Sequence, residues 1–329
     1  MARIRFRAVT SDLAEAGSPK PEAEAGSLKP EAELSYNCAV RLAVFGDSVL
    51  WGQGLRPEHK LTTIVADARQ MTVDLLAHSG ATIGVDDDDE DEPVDGEVPV
   101  PRPTVLQQVD AYMPTTSEVG MVLVNGGLND IDFRVILNPF TSLNDLHRKT
   151  VRFCYRDMLT LLDNITQRFF GQDLPIVVTG YYPIVSPKTD PVKTPRVLAA
   201  YGVSFSPLAG SATVFDKIVA LSMQFWQDST EQLMNAVHDC GDSRVTYADV
   251  PFTEDHAVFT ADPWLFGLKS DLFAFGPQDE VIDERHDACN IVFDDFFHLL
   301  DREGCYRASA GHPNVAGAQQ YAQAILAAV

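Results

Sequence analysis

The fold is constrained most strongly by short apolar runs that end in glycine or polar residues. RLAVFGD (41–47), VGMVLVNGG (119–127), PIVVTGYYPI (175–184) and RVTYADV (244–250) each read as a buried strand. Segments with helical spacing separate these strands along the chain. Buried strands that alternate with helices are typical of a parallel sheet that is covered on both faces. The sequence therefore predicts an α/β fold with a mostly parallel sheet.

The helical segments and one further apolar stretch complete the predicted domain. VDLLAHSG (73–80) is apolar and ends in Gly80. In a parallel sheet, sites form at the carboxyl ends of the strands, so residues that follow a strand are the first candidates for function. The predicted helices are KLTTIVADARQM (60–71), TVLQQVDAYM (104–113), residues 143–170, residues 214–240 and NVAGAQQYAQAILAAV (314–329).

Composition divides the chain into a tail and one large domain. Residues 1–36 are rich in Ala, Glu and Pro and contain the near-duplicate AEAGSPKPEAEAGSLKPEAE, which is typical of a flexible tail. Residues 37–329 form the predicted domain. Within it we expect an acidic surface insertion at 86–97 and a long insertion at about 205–297. The Phe, Trp and Leu residues of the long insertion either pack in the core or form the wall or lid of a substrate pocket.

The formal net charge of −22 limits the possible partners. Nucleic acids and anionic membranes bind basic surfaces, so we expect neither as a partner, and a small neutral or cationic substrate is favoured. No apolar run is long enough to span a membrane, and the N-terminus lacks the apolar core of a secretory signal. A soluble, cytoplasmic protein is therefore favoured, while export by an unrecognised route and the oligomeric state stay open.

Metal and disulfide chemistry have little support in the sequence. The five cysteines contain no C-x-x-C pair, which disfavours a zinc site and favours reduced thiols. A disulfide between Cys289 and Cys305 stays open. The acidic stretch DDDDEDEPVDGE lacks the spaced oxygen ligands and the turn glycine of a calcium loop. We expect neither a metal nor a cofactor.

Gly46-Asp47-Ser48 directly follows the first predicted strand, where a site is expected. Its surroundings match neither a phosphate-binding loop, nor a dinucleotide fingerprint, nor a G-x-S-x-G nucleophile elbow. Alone, this motif is equally compatible with a structural turn. Three other stretches change that balance: HSGATIG with Gly80, NGGLNDID with Asn129, and ASAGHPNVAG with His312 just before the last helix.

Together these four blocks resemble the SGNH, or GDSL-type, hydrolase family, in the family's order and over residues 41–329. The resemblance implies a flavodoxin-like, three-layer α/β/α sandwich and the hydrolysis of acyl esters by an esterase or lipase-like enzyme. It also implies that Ser48 is the nucleophile and His312 the general base. The implied oxyanion hole consists of the backbone N–H groups of Ser48 and Gly80 and the side-chain amide of Asn129.

One position departs from the family pattern. The family's last block is D-x-x-H, whereas Ser309 stands three residues before His312. A hydroxyl accepts a hydrogen bond but stabilises an imidazolium less than a carboxylate does. One alternative is a Ser-His dyad in which Ser309 or a backbone carbonyl orients His312. The other is an acid from elsewhere, for which Asp294, Asp295 and Asp301 are the nearest upstream candidates.

We therefore predict a serine hydrolase that cleaves carboxylic esters, small-molecule or lipid-like, through an acyl-enzyme on Ser48. Two alternatives stay open: a carbohydrate O-acetylesterase of the same fold, and a catalytically weak binding protein of that fold. The missing aspartate is the only support for the binding protein. Asp130 is expected to make local hydrogen bonds, and His78 either lines the pocket or packs in the core.

Overall fold

A computed structural model of the protein describes residues 40–87, 89, 93–114, 118–193, 212–268, 278–295 and 298–329. Its contacts divide the chain into two units, Met1–Asn37 and Cys38–Val329. The predicted tail at 1–36 lies outside the described residues, so the boundary of the tail stays a prediction.

The described domain is built on a sheet of five parallel strands in the order β2-β1-β3-β4-β5. Their bounds are β1 Arg41–Phe45, β2 Thr72–Leu75, β3 Val119–Val124, β4 Ile176–Thr179 and β5 Val245–Ala248. The chain runs outward from β1 to β2 and then returns to the other side of β1 to form β3. The strand order therefore reverses between β1 and β3, and such a reversal opens a crevice at the carboxyl ends of the two strands.

Helices cover both faces of this sheet. Helix α2 (Leu61–Arg69) packs against α11 (Val315–Ala327) in one layer, whereas α3 (Val105–Ala111), α7 (Met158–Arg168) and α8 (Ala212–Asp239) pack together in another. The fold is therefore an α/β/α sandwich, as predicted. The helices are α1 Ser48–Trp51, α2 Leu61–Arg69, α3 Val105–Ala111, α4 Leu128–Ile131, α5 Phe133–Ile136, α6 Leu143–Thr150, α7 Met158–Arg168, α8 Ala212–Asp239, α9 Ile282–Val292, α10 Leu299–Tyr306 and α11 Val315–Ala327, with a π-helical turn at Val151–Asp157 and 3-10 turns at Pro57–His59 and Glu254–His256.

The central strands carry the core. Leu42 to Phe45 of β1 are fully buried, as is every residue of β4. A strand that is covered on both faces has no solvent-facing side, which explains why these runs are continuously apolar rather than alternating. β2 and β5 lie at the edges of the sheet and are only partly buried.

The structure corrects the expectation for the acidic stretch 86–97. Its last residue, Glu97, is only 8 % exposed. The Glu97 carboxylate accepts hydrogen bonds from Trp51 Nε1 at 2.9 Å and Gln53 Nε2 at 3.0 Å, and these donors make its burial tolerable. The stretch therefore returns into the protein rather than lying wholly on its surface.

The stretch at 205–297, expected as a long insertion, contains α8 and β5, which belong to the core layers. Residues 269–277, with most of DLFAFG, lie outside the described residues. Before that gap, Leu265 and Phe266 are buried in the core. For this described part, core packing is the interpretation that holds.

Cys289 and Cys305 form a disulfide that joins α9 to α10. The preference for reduced thiols is therefore wrong for this pair. The two helices pack against each other, and the bonded sulfur atoms share a small apolar cluster with Val98. Cys154 and Cys240 are free, and Cys38 lies outside the described residues. Such disulfides are typical of oxidising compartments, so the cytoplasmic location stays a prediction only.

None of the described helices combines the length and the apolar character that crossing a bilayer requires.

Candidate active site

Ser48 begins helix α1, and two residues separate it from the end of strand β1. Asp47 caps the helix, and its carboxylate accepts a hydrogen bond from Val49 N at 2.9 Å. Gln108 of α3 holds Gly46 through both of its backbone polar groups. Gly46 N donates to Gln108 Oε1 at 2.7 Å, and Gln108 Nε2 donates to Gly46 O at 3.0 Å. The turn that presents Ser48 is therefore fixed by a side chain from a neighbouring helix.

Two further side chains hold Asp47. Asn125, directly after β3, accepts from Asp47 N at 2.9 Å and donates through Nδ2 to Asp47 Oδ1 at 2.8 Å. The Tyr181 hydroxyl donates to Asp47 Oδ2 at 2.8 Å. Burial raises the pKa of Asp47, while these donors act in the opposite direction. A Cβ on Gly46 would lie 2.0 Å from Asn125 Oδ1, so only glycine fits before Asp47.

Sequence reasoning missed Gln108, Asn125 and Tyr181 as supports of the serine turn. Asn125 and Tyr181 follow β3 and β4, so their places at strand ends were a usable signal. Gln108 lies within an ordinary amphipathic helix, where nothing in the pattern distinguishes it from a surface glutamine.

His312 lies beside Ser48, with its Nε2 atom 2.7 Å from Ser48 Oγ. The loop that carries His312 is held by the segment before residue 269. Phe266 N donates to His312 O at 2.7 Å, and Gly311 N donates to Phe266 O at 2.8 Å. Asn314 caps α11, accepts from Gly317 N at 3.1 Å and donates to Pro263 O at 2.8 Å. Residues far apart in sequence thus meet within hydrogen-bonding distance.

The His312 imidazole is held in its neutral form. Burial, and then the positive charge of Arg285, lower the pKa of His312 to about 4. The carbonyl groups of Ala308, Ser309 and Ala310 act in the opposite direction but do not outweigh these two causes. At neutral pH the ring can therefore accept a proton from Ser48.

Two backbone N–H groups of the predicted oxyanion hole make no hydrogen bond within the described residues. Within the described part of the chain, neither Ser48 N nor Gly80 N donates to a protein acceptor. Gly80 has a φ of +81°, and a Cβ there would lie 2.6 Å from Val100 N. Only glycine meets both conditions, which fits its place in the sequence pattern.

Asn129 lies on α4, just after β3, and contacts the segment that follows Gly80. Its Nδ2 atom donates to Ala81 O at 2.9 Å, which leaves its second amide hydrogen for another acceptor. The next residue, Asp130, accepts from Ile83 N at 3.1 Å. Burial raises the pKa of Asp130 to about 6. This hydrogen bond spans 47 positions of the chain, so it is not the local one that was expected, and it ties the third block to the second.

The acids that the sequence offered for His312 lie elsewhere. Asp294, Asp295 and Asp301 are exposed. Asp295 accepts from His298 N at 3.0 Å, and Asp301 Oδ2 lies 3.2 Å from His298 Nδ1. Ser309 is fully buried near His312, whose N donates to Ser309 O at 3.0 Å.

Two other expectations can be placed in the structure. His78 is buried, and its Nδ1 atom lies 2.8 Å from Ser79 O, so it packs in the core rather than lining an open pocket. Among the residues that the structure describes, no group of three or more His, Cys, Asp or Glu side chains is arranged to hold a metal ion.

No family model matches the chain, and no curated protein matches it significantly. Among solved structures, the chain is similar to the lipase Lip_vut3 from a goat rumen metagenome, with a TM-score of 0.39 and 11% identity, over 64% of this chain and 81% of that one. For the M. smegmatis aryl esterase the TM-score is 0.34 and the identity 13%, over 64% and 84% of the two chains. For a family two carbohydrate esterase from Clostridium thermocellum the TM-score is 0.37 and the identity 12%, over 65% of this chain and 55% of that one. At these TM-scores and identities, the function proposed below rests on the site geometry alone.

Proposed function

We propose that this protein is a serine hydrolase that cleaves carboxylic esters through an acyl-enzyme on Ser48. His312 Nε2 takes the hydroxyl proton as Ser48 Oγ attacks the ester carbonyl carbon. The tetrahedral intermediate then collapses, and the alcohol leaves with the proton from His312. Water attacks the acyl-enzyme with His312 again as the base, and the carboxylic acid is released.

The observation that carries this proposal is the 2.7 Å separation between His312 Nε2 and Ser48 Oγ at the carboxyl end of β1. A general base must lie within hydrogen-bonding reach of the proton that it removes, and this pair meets that condition. The lowered pKa of His312, about 4, keeps the base unprotonated at neutral pH. It also makes the protonated ring a strong acid toward the leaving alcohol.

The unused donors around Ser48 support the same chemistry. The Ser48 and Gly80 N–H groups and the second Asn129 amide hydrogen are suited to the negative charge that develops on the carbonyl oxygen. Removal of one such donor typically raises the barrier by about 3 to 4 kcal/mol. Asn129→Ala is therefore expected to lower kcat by about 100-fold or more while Ser48 stays reactive.

The test is the hydrolysis of p-nitrophenyl acetate, butyrate and octanoate by the wild type and by Ser48→Ala. The wild type should hydrolyse at least one ester, and Ser48→Ala should retain only the buffer rate. Ser229→Ala is the matched control, because Ser229 is also buried but lies on α8, where its hydroxyl donates to Trp226 O at 3.1 Å. It should keep the wild-type rate.

A fluorophosphonate probe tests the nucleophile independently of the substrate. Mass spectrometry should find the label on Ser48 in the wild type and in Ser229→Ala, but not in Ser48→Ala. If the wild type is neither labelled nor faster than Ser48→Ala with any ester, the hydrolase proposal is wrong and the binding-protein alternative takes its place.

A carbohydrate O-acetylesterase is the second candidate, and the limited access to Ser48 favours it. Ser48 is only 3 % exposed, which suits a small acyl group such as acetyl better than a long chain. A rate that falls steeply from acetate to octanoate, with release of acetate from acetylated sugars, would favour this candidate. A rate that rises with chain length would favour lipid-like esters.

A further inference from the structure

Buried polar atoms without hydrogen-bond partners gather behind His312. In the described part of the chain these include Ser309 Oγ, His312 Nδ1, both carboxylate oxygens of Asp279 and Arg285 Nε. Most buried polar atoms in folded proteins have a partner, so several orphans in one place indicate a functional arrangement or bound solvent. The residues concerned come from two separate segments of the chain, 279–285 and 309–312.

Gly54 shows that Asp279 and Ser309 are neighbours. A Cβ on Gly54 would lie 2.6 Å from Ser309 Cβ and 2.9 Å from Asp279 Cβ, so both side chains pack against the same backbone atom. The φ of Gly54 is +81°, which favours glycine independently of the available space. Glu280 N donates to Gly54 O at 2.9 Å and so fixes the Asp279 segment on this loop.

The charges around this place form one buried group of a cation and two carboxylates. Arg285, fully buried, forms an ion pair with Asp279, whose side chain is also fully buried, and lies 3.4 Å from Glu97 Oε2. Glu97 is already bonded to Trp51 and Gln53. Within the residues that the structure describes, the two Asp279 oxygens have no hydrogen bond besides this ion pair, although burying an ionised carboxylate costs several kcal/mol unless its oxygens are satisfied.

The acid beside the nucleophile is committed elsewhere. Val49 N, Asn125 and Tyr181 all donate to the Asp47 carboxylate, so it is turned away from His312. Arg285 is a charged group that acts on His312. Its ion-pair partners are Asp279 and Glu97.

We propose that Asp279 is the positioning residue for His312 and acts across the Ser309 hydroxyl and one buried water. This inference rests on the proposed ester hydrolysis. A serine side chain is one atom shorter than aspartate, so it leaves a gap beside Nδ1 where a directly bonded carboxylate would reach. Ser309 Oγ, His312 Nδ1 and an Asp279 oxygen provide the two to four polar partners that a buried water needs.

In this arrangement the Nδ1–H donates toward Ser309 and the water, and their hydrogens point to the Asp279 carboxylate. No proton is transferred along the chain of hydrogen bonds. Asp279 keeps the Nε2 lone pair aimed at Ser48 and offsets the charge of Arg285 when His312 becomes an imidazolium.

The decisive variants are Asp279→Asn, Ser309→Ala and the two combined. Each single variant should lower kcat by about 100-fold with KM unchanged, a smaller loss than the roughly 10⁴-fold seen when a directly bonded triad acid is removed. Since both residues act in one relay, the double variant should be no worse than either single variant. Glu280→Gln is the matched control, because Glu280 is the adjacent acid and bonds to His59 instead. It should keep the wild-type kcat.

Ser309→Ala also separates the relay from simple charge neutralisation. It leaves the Asp279–Arg285 ion pair in place, so it should have no effect if Asp279 merely neutralises Arg285. The double variant Ser309→Asp/Asp279→Asn returns a carboxylate next to Nδ1. Its kcat should be at least tenfold higher than that of Asp279→Asn alone. A structural role alone would not give this rescue.

NMR of the ¹⁵N-labelled histidine rings supplies a readout that does not depend on activity. The wild type should show a protected His312 Nδ1 proton that is lost in both single variants. If Asp279→Asn folds and keeps both the wild-type kcat and the His312 Nδ1 proton, the inference is wrong. If Asp279→Asn does not fold, the inference is wrong when Ser309→Ala keeps the wild-type kcat and the Nδ1 proton. A different outcome is a wild type with neither activity nor probe label, whose His312 Nδ1 proton is still lost in Asp279→Asn and Ser309→Ala. That outcome would refute the ester hydrolysis but not the positioning role.

Discussion

Ester hydrolysis by this protein should persist at a pH where most histidine-dependent reactions have stopped. The lowered pKa of His312, about 4, follows from its burial and from the charge of Arg285. At pH 5 a group with that pKa is about 90% neutral, whereas a histidine of pKa 6.5 is only about 3% neutral. If His312 is the base, kcat/KM at pH 5 should therefore stay close to its value at pH 7, whereas a histidine of pKa 6.5 would lose about 25-fold.

The assay is the initial rate with p-nitrophenyl acetate between pH 4 and pH 8, in samples quenched and read at alkaline pH, with Ser48→Ala as the blank. An acid limb with an apparent pKa near 6.5 would refute the account of the His312 surroundings. A flat profile with no acid limb down to pH 4, for a protein still folded by circular dichroism, would remove His312 as the base.

The same group makes the fold sensitive to acid. The pKa of His312 is lower in the folded protein than in the unfolded chain, so the unfolded state gains the proton first as the pH falls. The contribution of neutral His312 to the free energy of unfolding is therefore complete above about pH 6.5 and is lost as the pH falls toward about 4. The shift from 6.5 to about 4 corresponds to roughly 3 kcal/mol. The rates should therefore be taken only where the protein remains folded.

Three further changes test the surroundings of the site. Gly46→Ala should abolish activity and lower the midpoint of thermal unfolding, because its Cβ would lie 2.0 Å from Asn125 Oδ1, and unaltered activity would contradict that geometry. Tyr181→Phe leaves one Asp47 oxygen short of a donor in a buried site and should cost about 1 to 3 kcal/mol in urea unfolding at pH 7, whereas no loss would show that the hydrogen bond is dispensable. Burial raises the pKa of Asp130 to about 6, so this residue lowers the free energy of unfolding as the pH rises from about 4 to about 6. Asp130→Asn should therefore become more stable relative to the wild type across that range. If the difference in unfolding free energy between the two proteins stays the same from pH 4 to pH 6, the burial argument is wrong.

Much of the fold could be predicted because burial on both faces leaves a local trace. After Arg41, β1 is continuously apolar, as are β3 and β4 up to Thr179, and a glycine or a small polar residue ends or follows each strand. The third block, NGGLNDID, follows such a strand, so its place at the site edge could be predicted as well. Glu97 could not be predicted to be buried, since its partners Trp51, Gln53 and Arg285 lie on other segments and give no sign in the acidic stretch itself.

The sequence by itself determined the alternation of strands and helices and the places of Ser48 and Asn129 after strands and of His312 before the last helix, because the periodicity of burial and turn chemistry are local properties. Only the tertiary structure decided that His312 Nε2 lies 2.7 Å from Ser48 Oγ. It alone also showed Asp279, from a segment with no motif, packed beside Ser309. Hydrogen bonds and ion pairs act over a few ångströms of space irrespective of separation along the chain, so the partners of a site are set by packing and not by sequence spacing.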